Sequence, residues 1–220
     1  MIKLESVSKK YGSQTVLDCI NFSAGENEFV SIIGKSGVGK TTLLSILAGM
    51  VAPDSGKIIF QNRNITKYNE EQLADFRLLN IGIVFQDFKI IASLSVYDNV
   101  YLAIHPRKDL SKQTKDEQIR SIISQVGMTH KISQNVDDLS GGEKQRVAIA
   151  RSLVGNPKLV LADEPTGNLD AKTSASIMEL FRKLNNELET TFVIITHDKD
   201  IADQTQKKYE LTDKGLNVYN

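Results

Sequence analysis

The chain has 220 residues, enough to bury a proper core, and its 27 Lys and Arg balance 27 Asp and Glu. That balance argues against a nucleic-acid binder, which ordinarily carries a basic surplus. Cys19 is the only cysteine, so an intrachain disulfide is excluded and a reducing compartment is the simplest setting; the thiol is expected as a small buried apolar group, with a reactive thiol as the alternative.

Residues 1–7 are already strand-like, and no basic segment leads into an apolar one, so no secretory leader is expected. No apolar run approaches the ~18 residues that a membrane span requires. These features predict a cytoplasmic chain that meets a membrane only through a partner.

In chain order the pattern predicts strands at 2–7 and 28–33, and a helix over 40–48 with Gly49 as its C-cap and Pro53 beyond. A strand at 57–60, a helix over 70–79 and a strand at 81–85 follow. Helices over 112–126 and 141–154 precede a strand at 159–162, a helix over 174–188 and a strand at 191–196. Residues 208–218 alternate enough for a small hairpin around "TDKG". Several strands are apolar on successive residues, which fits a parallel sheet covered on both faces. The N-terminal part looks antiparallel, and the strand signal vanishes between Gln86 and Pro157. The expectation is one α/β domain over 1–220, its core at 1–86 and 157–220 and a helical insertion at 87–156.

Four apolar runs end in residues capable of chemistry: Ile33 before "GKSGVGKT", Phe85 before Gln86, Ala162 before "DE" and Ile195 before "THD". Ligands of open parallel sheets sit beyond the carboxyl ends of the strands, so four neighbouring strands would bring these groups to one site. "GKSGVGKT" matches G-x-x-x-x-G-K-[ST] between a strand and a helix. Gly34, Gly37 and Gly39 allow a loop whose N–H groups surround phosphate oxygens, with Lys35, Ser36, Val38 and Thr42 completing the cradle. Lys40 can reach the β- and γ-phosphates, and the Thr41 hydroxyl can ligate Mg²⁺. Asp163 suits a carboxylate holding that magnesium, and Glu164 is placed to take a proton from a water attacking the γ-phosphate. Gln86 could touch Mg²⁺ or the water, and His197 could hydrogen-bond the γ-phosphate. Tyr11 is either a surface aromatic or a platform for adenine, with Val16 packing on the same base.

One stretch, "LSGGEKQR" at 139–146, has two readings. Ser140 and Glu143 complete an S-x-x-E capping box. Gly141 and Gly142, poor choices in a first turn, also leave room for an anion at a positively polarised helix end.

With these residues the chain resembles an ATP-binding-cassette (ABC) ATPase, the nucleotide-binding subunit of a membrane transporter. The motifs run in order: Tyr11, the loop 34–41, Gln86, "LSGGEKQR", Asp163 and Glu164, a "GNLD" loop ending at Asp170, and His197. Lys35 stands where many relatives have proline. The resemblance implies ATP and Mg²⁺ as ligands and a P-loop ABC-type cassette. It also implies a head-to-tail homodimer in which Ser140, Gly141 and Gly142 of one copy bind the γ-phosphate lodged in the other's cradle. Glu164, His197 and Lys40 would be catalytic, and Asp170 would organise the seam between copies. An integral membrane permease is the further partner, with no role for nucleic acid, so the chain would sit on the inner face of the cell membrane.

"ADEPTGNLD" with "THD" is most similar to the clade of macrolide-efflux, lipoprotein-releasing and cell-division ATPases; "FQDFKI" and "SVYDNV" resemble the last. Phe88, Ile90, Ile91 and Leu94 form either a docking groove for the permease or internal packing of the helical insertion. The competing classes are a non-transport ABC ATPase in DNA repair or on the ribosome, a P-loop phosphotransferase, and a binding module that switches on ATP without turnover. This chain shows neither the coiled coil nor the second cassette expected of the first, it carries the signature that the second would lack, and Glu164 argues against the third.

Overall fold

The computed structural model describes residues 1–213 and 215–219. Lys214, within the "TDKG" turn, and Asn220, the last residue of the expected domain, lie outside the described residues. The chain divides into two units, Met1–Arg77 with Thr191–Asn220, and Leu78–Thr190.

In the first unit, strand β1 (Ile2–Tyr11) pairs antiparallel with β2 (Gln14–Ala24) and with β4 (Ser55–Phe60), and β4 pairs with the short β5 (Arg63–Asn64). Ile2, Leu4 and Val7 face inward, but the register slips after Leu4, with Ser6 and Cys19 both at positive φ. That bulge breaks the two-residue period of β2: Leu17 and Ile20, three apart, are both buried. The strand therefore escapes a reading based on alternation. The bulge also overturns the expected burial of Cys19, which is turned out and exposed. Its N–H donates to the Ser8 hydroxyl at 2.9 Å.

The second layer of this unit is built on β3 (Phe29–Gly34), parallel to both β8 (Thr191–Thr196) and β9 (Lys207–Thr212). Strand β10 (Gly215–Val218) pairs antiparallel with β9, giving the C-terminal hairpin. Phe29 to Ile33 and all of β8 are buried on successive residues, as a strand covered on both faces must be. Phe29 meets Phe192 edge-on at 6.0 Å. Helix α1 (Lys40–Leu47) follows β3, and the short α7 (Lys199–Ala202) follows β8. Ala48 caps α1, and Gly49, at φ 64, takes the left-handed turn after it. Helix α2 (Glu70–Asn80) sets Phe76 edge-on against Phe60 at 4.9 Å.

In the second unit, β6 (Ile81–Val84) is parallel to β7 (Leu159–Asp163). The chain between them is helical: α3 (Val96–Ile104), α4 (Lys112–Gln125), 3₁₀ turns at Thr129–Lys131 and Val136–Asp138, and α5 (Gly141–Leu153). Helix α6 (Ala171–Leu188) follows β7. Helix α3 was not expected because "VYDNVYLAI" is rich in β-branched and aromatic residues. The Ser95 cap, which accepts from the Asp98 N–H at 3.0 Å, and the burial of Val96, Val100 and Ile104 override that preference.

Candidate functional site

In the first unit the loop after β3 turns through Gly37 at φ 78 and Gly39 at φ 108 and enters α1. A side chain at Gly39 would lie 2.9 Å from Val16 Cγ1, so both the backbone twist and the packing on β2 require glycine. Lys40, only 8% exposed, folds back over this loop and donates to the carbonyls of Gly34 at 2.8 Å and Lys35 at 3.1 Å. The lysine charge is thereby carried inside the curve of the loop. Gly39 offers no side-chain cap to α1, and no acid occupies its first turn. Among the described α-helices only α1 lacks a side-chain cap. A helix end without a side-chain cap and beside a buried lysine has the electrostatics that suit an anion. Lys35, Ser36 and Thr41 are exposed, and Val38 and Thr42 half-buried.

A cavity of about 310 Å³ opens beside the loop, lined by Val16, Leu17, Gly37, Val38 and Leu211 among others. Tyr11 lies outside that lining at 52% exposure, with the Lys9 ammonium 5.6 Å from its ring centre. His197 is exposed directly after β8, where the Asp198 N–H donates to the Thr196 hydroxyl at 3.0 Å.

In the second unit Asp163 closes β7 as its last, half-buried residue. Glu164 follows in the left-handed region at φ 46, a conformation disfavoured for a non-glycine residue and doubly so before proline. The Gly167 N–H donates to the Glu164 carbonyl at 3.0 Å, closing the turn. Gln86, exposed beyond β6, is tied to the next loop: the Asn168 amide donates to the Gln86 carbonyl at 3.0 Å, and the Gln86 amide to Asn168 Oδ1 at 3.4 Å. Asp170 caps α6 by accepting from the Thr173 N–H at 3.0 Å and its hydroxyl at 2.6 Å. Those bonds, the hydroxyl's first, hold its carboxyl below the ordinary range. Helix α6 consequently starts at Ala171, ahead of the expected 174. Asn168 escapes sequence reading because its partner Gln86 is brought close only by folding, whereas the Asp170 cap is local and an Asp three residues ahead of Thr173 at a helix start is the signal that finds it.

At α5 the capping box forms. The Ser140 N–H donates to the Glu143 carboxylate at 2.9 Å, and the Glu143 N–H to Ser140 Oγ at 3.4 Å. Lys131 pairs with Glu143 at 2.5 Å and, with the Ser140 N–H, holds its carboxyl down to about 2. A side chain at Gly142 would meet the Thr173 methyl at 2.6 Å, so this glycine has a packing reason of its own. Gly141 has no such constraint; a methyl there would touch Leu169 at an ordinary 3.4 Å, and the residue is exposed.

For a metal, the described residues hold no group of three or more His, Cys, Asp and Glu side chains. The hard oxygen donors near the motifs are the Thr41 hydroxyl, the Asp163 carboxylate and the Gln86 amide. Oxygen donors of this kind suit a hard cation such as Mg²⁺ and not a softer metal.

Among known proteins, the family described as "ABC transporter" matches residues 17–167. The lipoprotein-releasing system ATP-binding protein LolD of Bacteroides thetaiotaomicron is 39% identical over 97% of this chain and 97% of its own. The macrolide export ATP-binding/permease protein MacB of Campylobacter jejuni is 38% identical over 97% of this chain, which spans 33% of that longer protein. The ATP-binding cassette MJ0796, solved as a dimer in a post-hydrolysis state with ADP and Pi, superposes with a TM-score of 0.88 at 35% identity, over 100% of this chain and 98% of its own.

Proposed function

The chain belongs to the ABC transporter family, and on that premise we propose that it is the ATP-hydrolysing subunit of a bacterial membrane transporter whose permease is a separate protein. The observation that carries this reading is the uncapped N-terminus of α1 with Lys40 folded into its loop. Relatives named for lipoprotein release and macrolide export support a transport or extraction task.

We read residues 1–220 as one cassette with 87–156 as its signature subdomain. The loop 34–41 with Thr42 grips the triphosphate, Lys40 neutralises its β- and γ-oxygens, and Val16 and Tyr11 take the base. Thr41, Gln86 and Asp163 would hold Mg²⁺, which when bound offsets charge on the β- and γ-phosphates. Glu164 accepts a proton from water as its oxygen bonds to the γ-phosphorus and the bond to the bridging oxygen breaks, leaving ADP and phosphate. His197 donates to the γ-phosphate. Ser140, Gly141 and Gly142 serve the nucleotide held by a second, head-to-tail copy, with Asp170 at the seam.

No helix among the described residues is long and apolar enough to cross a membrane; attachment to the inner membrane face would come through the permease. The loop after Gln86 is the proposed dock. Ile91 is exposed there, and the buried Asn99 side chain holds the loop's shape, accepting from the Ile91 N–H at 2.7 Å and donating to its carbonyl at 2.9 Å. Phe88→Asp should abolish capture by the permease, and unchanged capture removes the dock.

Two experiments test the catalytic reading. Glu164→Gln should bind ATP, accumulate as a closed dimer and lose turnover by about 10²–10⁴-fold, whereas near wild-type hydrolysis refutes the base. Lys40→Ala and Ser140→Arg chains, each inactive alone, should recover about a quarter of wild-type activity when mixed equally, since half the dimers regain one intact site. No recovery refutes the shared site.

A further inference from the structure

Glu164 occupies a costly conformation in the one turn that must present a base, so what holds that turn decides where the carboxylate points. Its carbonyl is tied within the turn by Gly167, and the Thr166 carbonyl by the Leu169 N–H at 3.0 Å. The carbonyl of Pro165, the residue directly after Glu164, is held from outside the turn. The Gln145 amide, on α5, donates to it at 2.6 Å. Gln145 is fully buried, and its Oε1 has no protein partner among the described residues. A single bond to a backbone carbonyl therefore orients this amide. An apolar residue of the same length would fill the space without leaving a polar atom of its own, so packing alone does not explain a glutamine here.

Resting on the reading of Glu164 as the base, we propose that Gln145 is a positioning residue for it: the amide on the signature helix pins Pro165 and thereby sets the direction of the Glu164 carboxylate. The same helix carries Ser140 at its start, so a shift of that end moves the anchor of the acid turn within the same chain.

The test measures ATPase kinetics, ATP affinity and melting temperature for Gln145→Met, alone and with Glu164→Gln. Met keeps volume and deletes the donor. The proposal expects kcat to fall about 10- to 100-fold with KM for ATP within about twofold, as for a misplaced catalytic group. It further expects that Gln145→Met adds nothing to the loss already caused by Glu164→Gln, because both act through one carboxylate. A merely structural role predicts multiplying losses and a raised KM, and that result overturns it. Should Gln145→Met fail to fold, Gln145→Glu decides. A buried carboxyl stays protonated and can donate the same bond, so its kcat relative to wild type should be largely kept at about pH 6 and fall toward about pH 9. A flat ratio overturns the proposal. If instead Glu164→Gln hydrolyses normally, the base assignment fails, whatever Gln145 does.

Discussion

Helices α1 and α5 both begin among glycines, Gly37 and Gly39 before α1 and Gly141 and Gly142 in the first turn of α5, yet their N-termini are built in opposite ways. The α1 end has no side-chain cap and no acid in its first turn, and Lys40 lies over its loop. The α5 end is closed by Ser140 and Glu143, and Lys131 balances the carboxylate. The first therefore adds a built-in cation to the positively polarised end of a helix without a side-chain cap, which suits an anion. The second spends the Ser140 and Glu143 N–H groups within its own box and sets a carboxylate beside the place an anion would take. It should hold phosphate only when another surface brings it. On the proposed shared site, that asymmetry is the physical reason why one copy should be a poor ATPase and two copies a competent one.

Lys40→Ala should break the comparison most severely. Removing the buried cation from α1 should lower hydrolysis by about 10³-fold or more and weaken ATP binding, read by isothermal titration. The matching change at α5, Ser140→Ala, should leave ATP affinity of the isolated chain within about twofold while slowing turnover of the dimer. Equal losses of affinity in both would erase the distinction.

Gly142→Ala should come next. It drives a methyl into Thr173 and should cost about 1–3 kcal/mol in a denaturant melt. Thr173→Ser removes the clashing methyl, keeps the hydroxyl on Asp170, and should restore most of the loss. If Gly142→Ala is as stable as wild type yet inactive, the glycine serves the ligand alone.

A smaller effect comes from the capping box. Glu143 titrates at about 2 in the folded chain against 4.5 ordinarily, its carboxylate held by Lys131 and Ser140. A depressed carboxyl contributes stability that is fully present above about pH 4.5 and is lost as pH falls toward 2. Glu143→Gln should flatten that part of the stability curve, by at most about 1 kcal/mol because the ion pair is partly solvated. An unchanged acid limb would mean that the box contributes nothing. Smallest of all, Cys19→Ser should shift stability by no more than about 0.5 kcal/mol, as for any exposed site, whereas a buried thiol would have cost more.

The motifs that bear chemistry are contiguous, which is why they can be read along the chain. The phosphate loop, the acids after β7 and the S-x-x-E box each need only local spacing, and the fully apolar β3 and β8 announce a sheet covered on both faces. What escapes the eye is whatever depends on a register or on a distant partner. Strand β2 hides behind its bulge, Cys19 is turned out by the same bulge, and α3 is a helix against its composition. The tie between Gln86 and Asn168 and the grip of Gln145 on Pro165 join residues far apart in sequence.

By itself, the order of residues determined the family, the phosphate loop and the acids, because glycine, lysine and carboxylate at fixed spacing leave few alternatives for backbone and charge. Tertiary structure alone decided that Cys19 would turn outward, that Gly142 must make way for Thr173, and that a buried amide would hold the turn of Glu164. Those outcomes depend on which side chains folding sets within hydrogen-bond or van der Waals reach, and no local spacing encodes that.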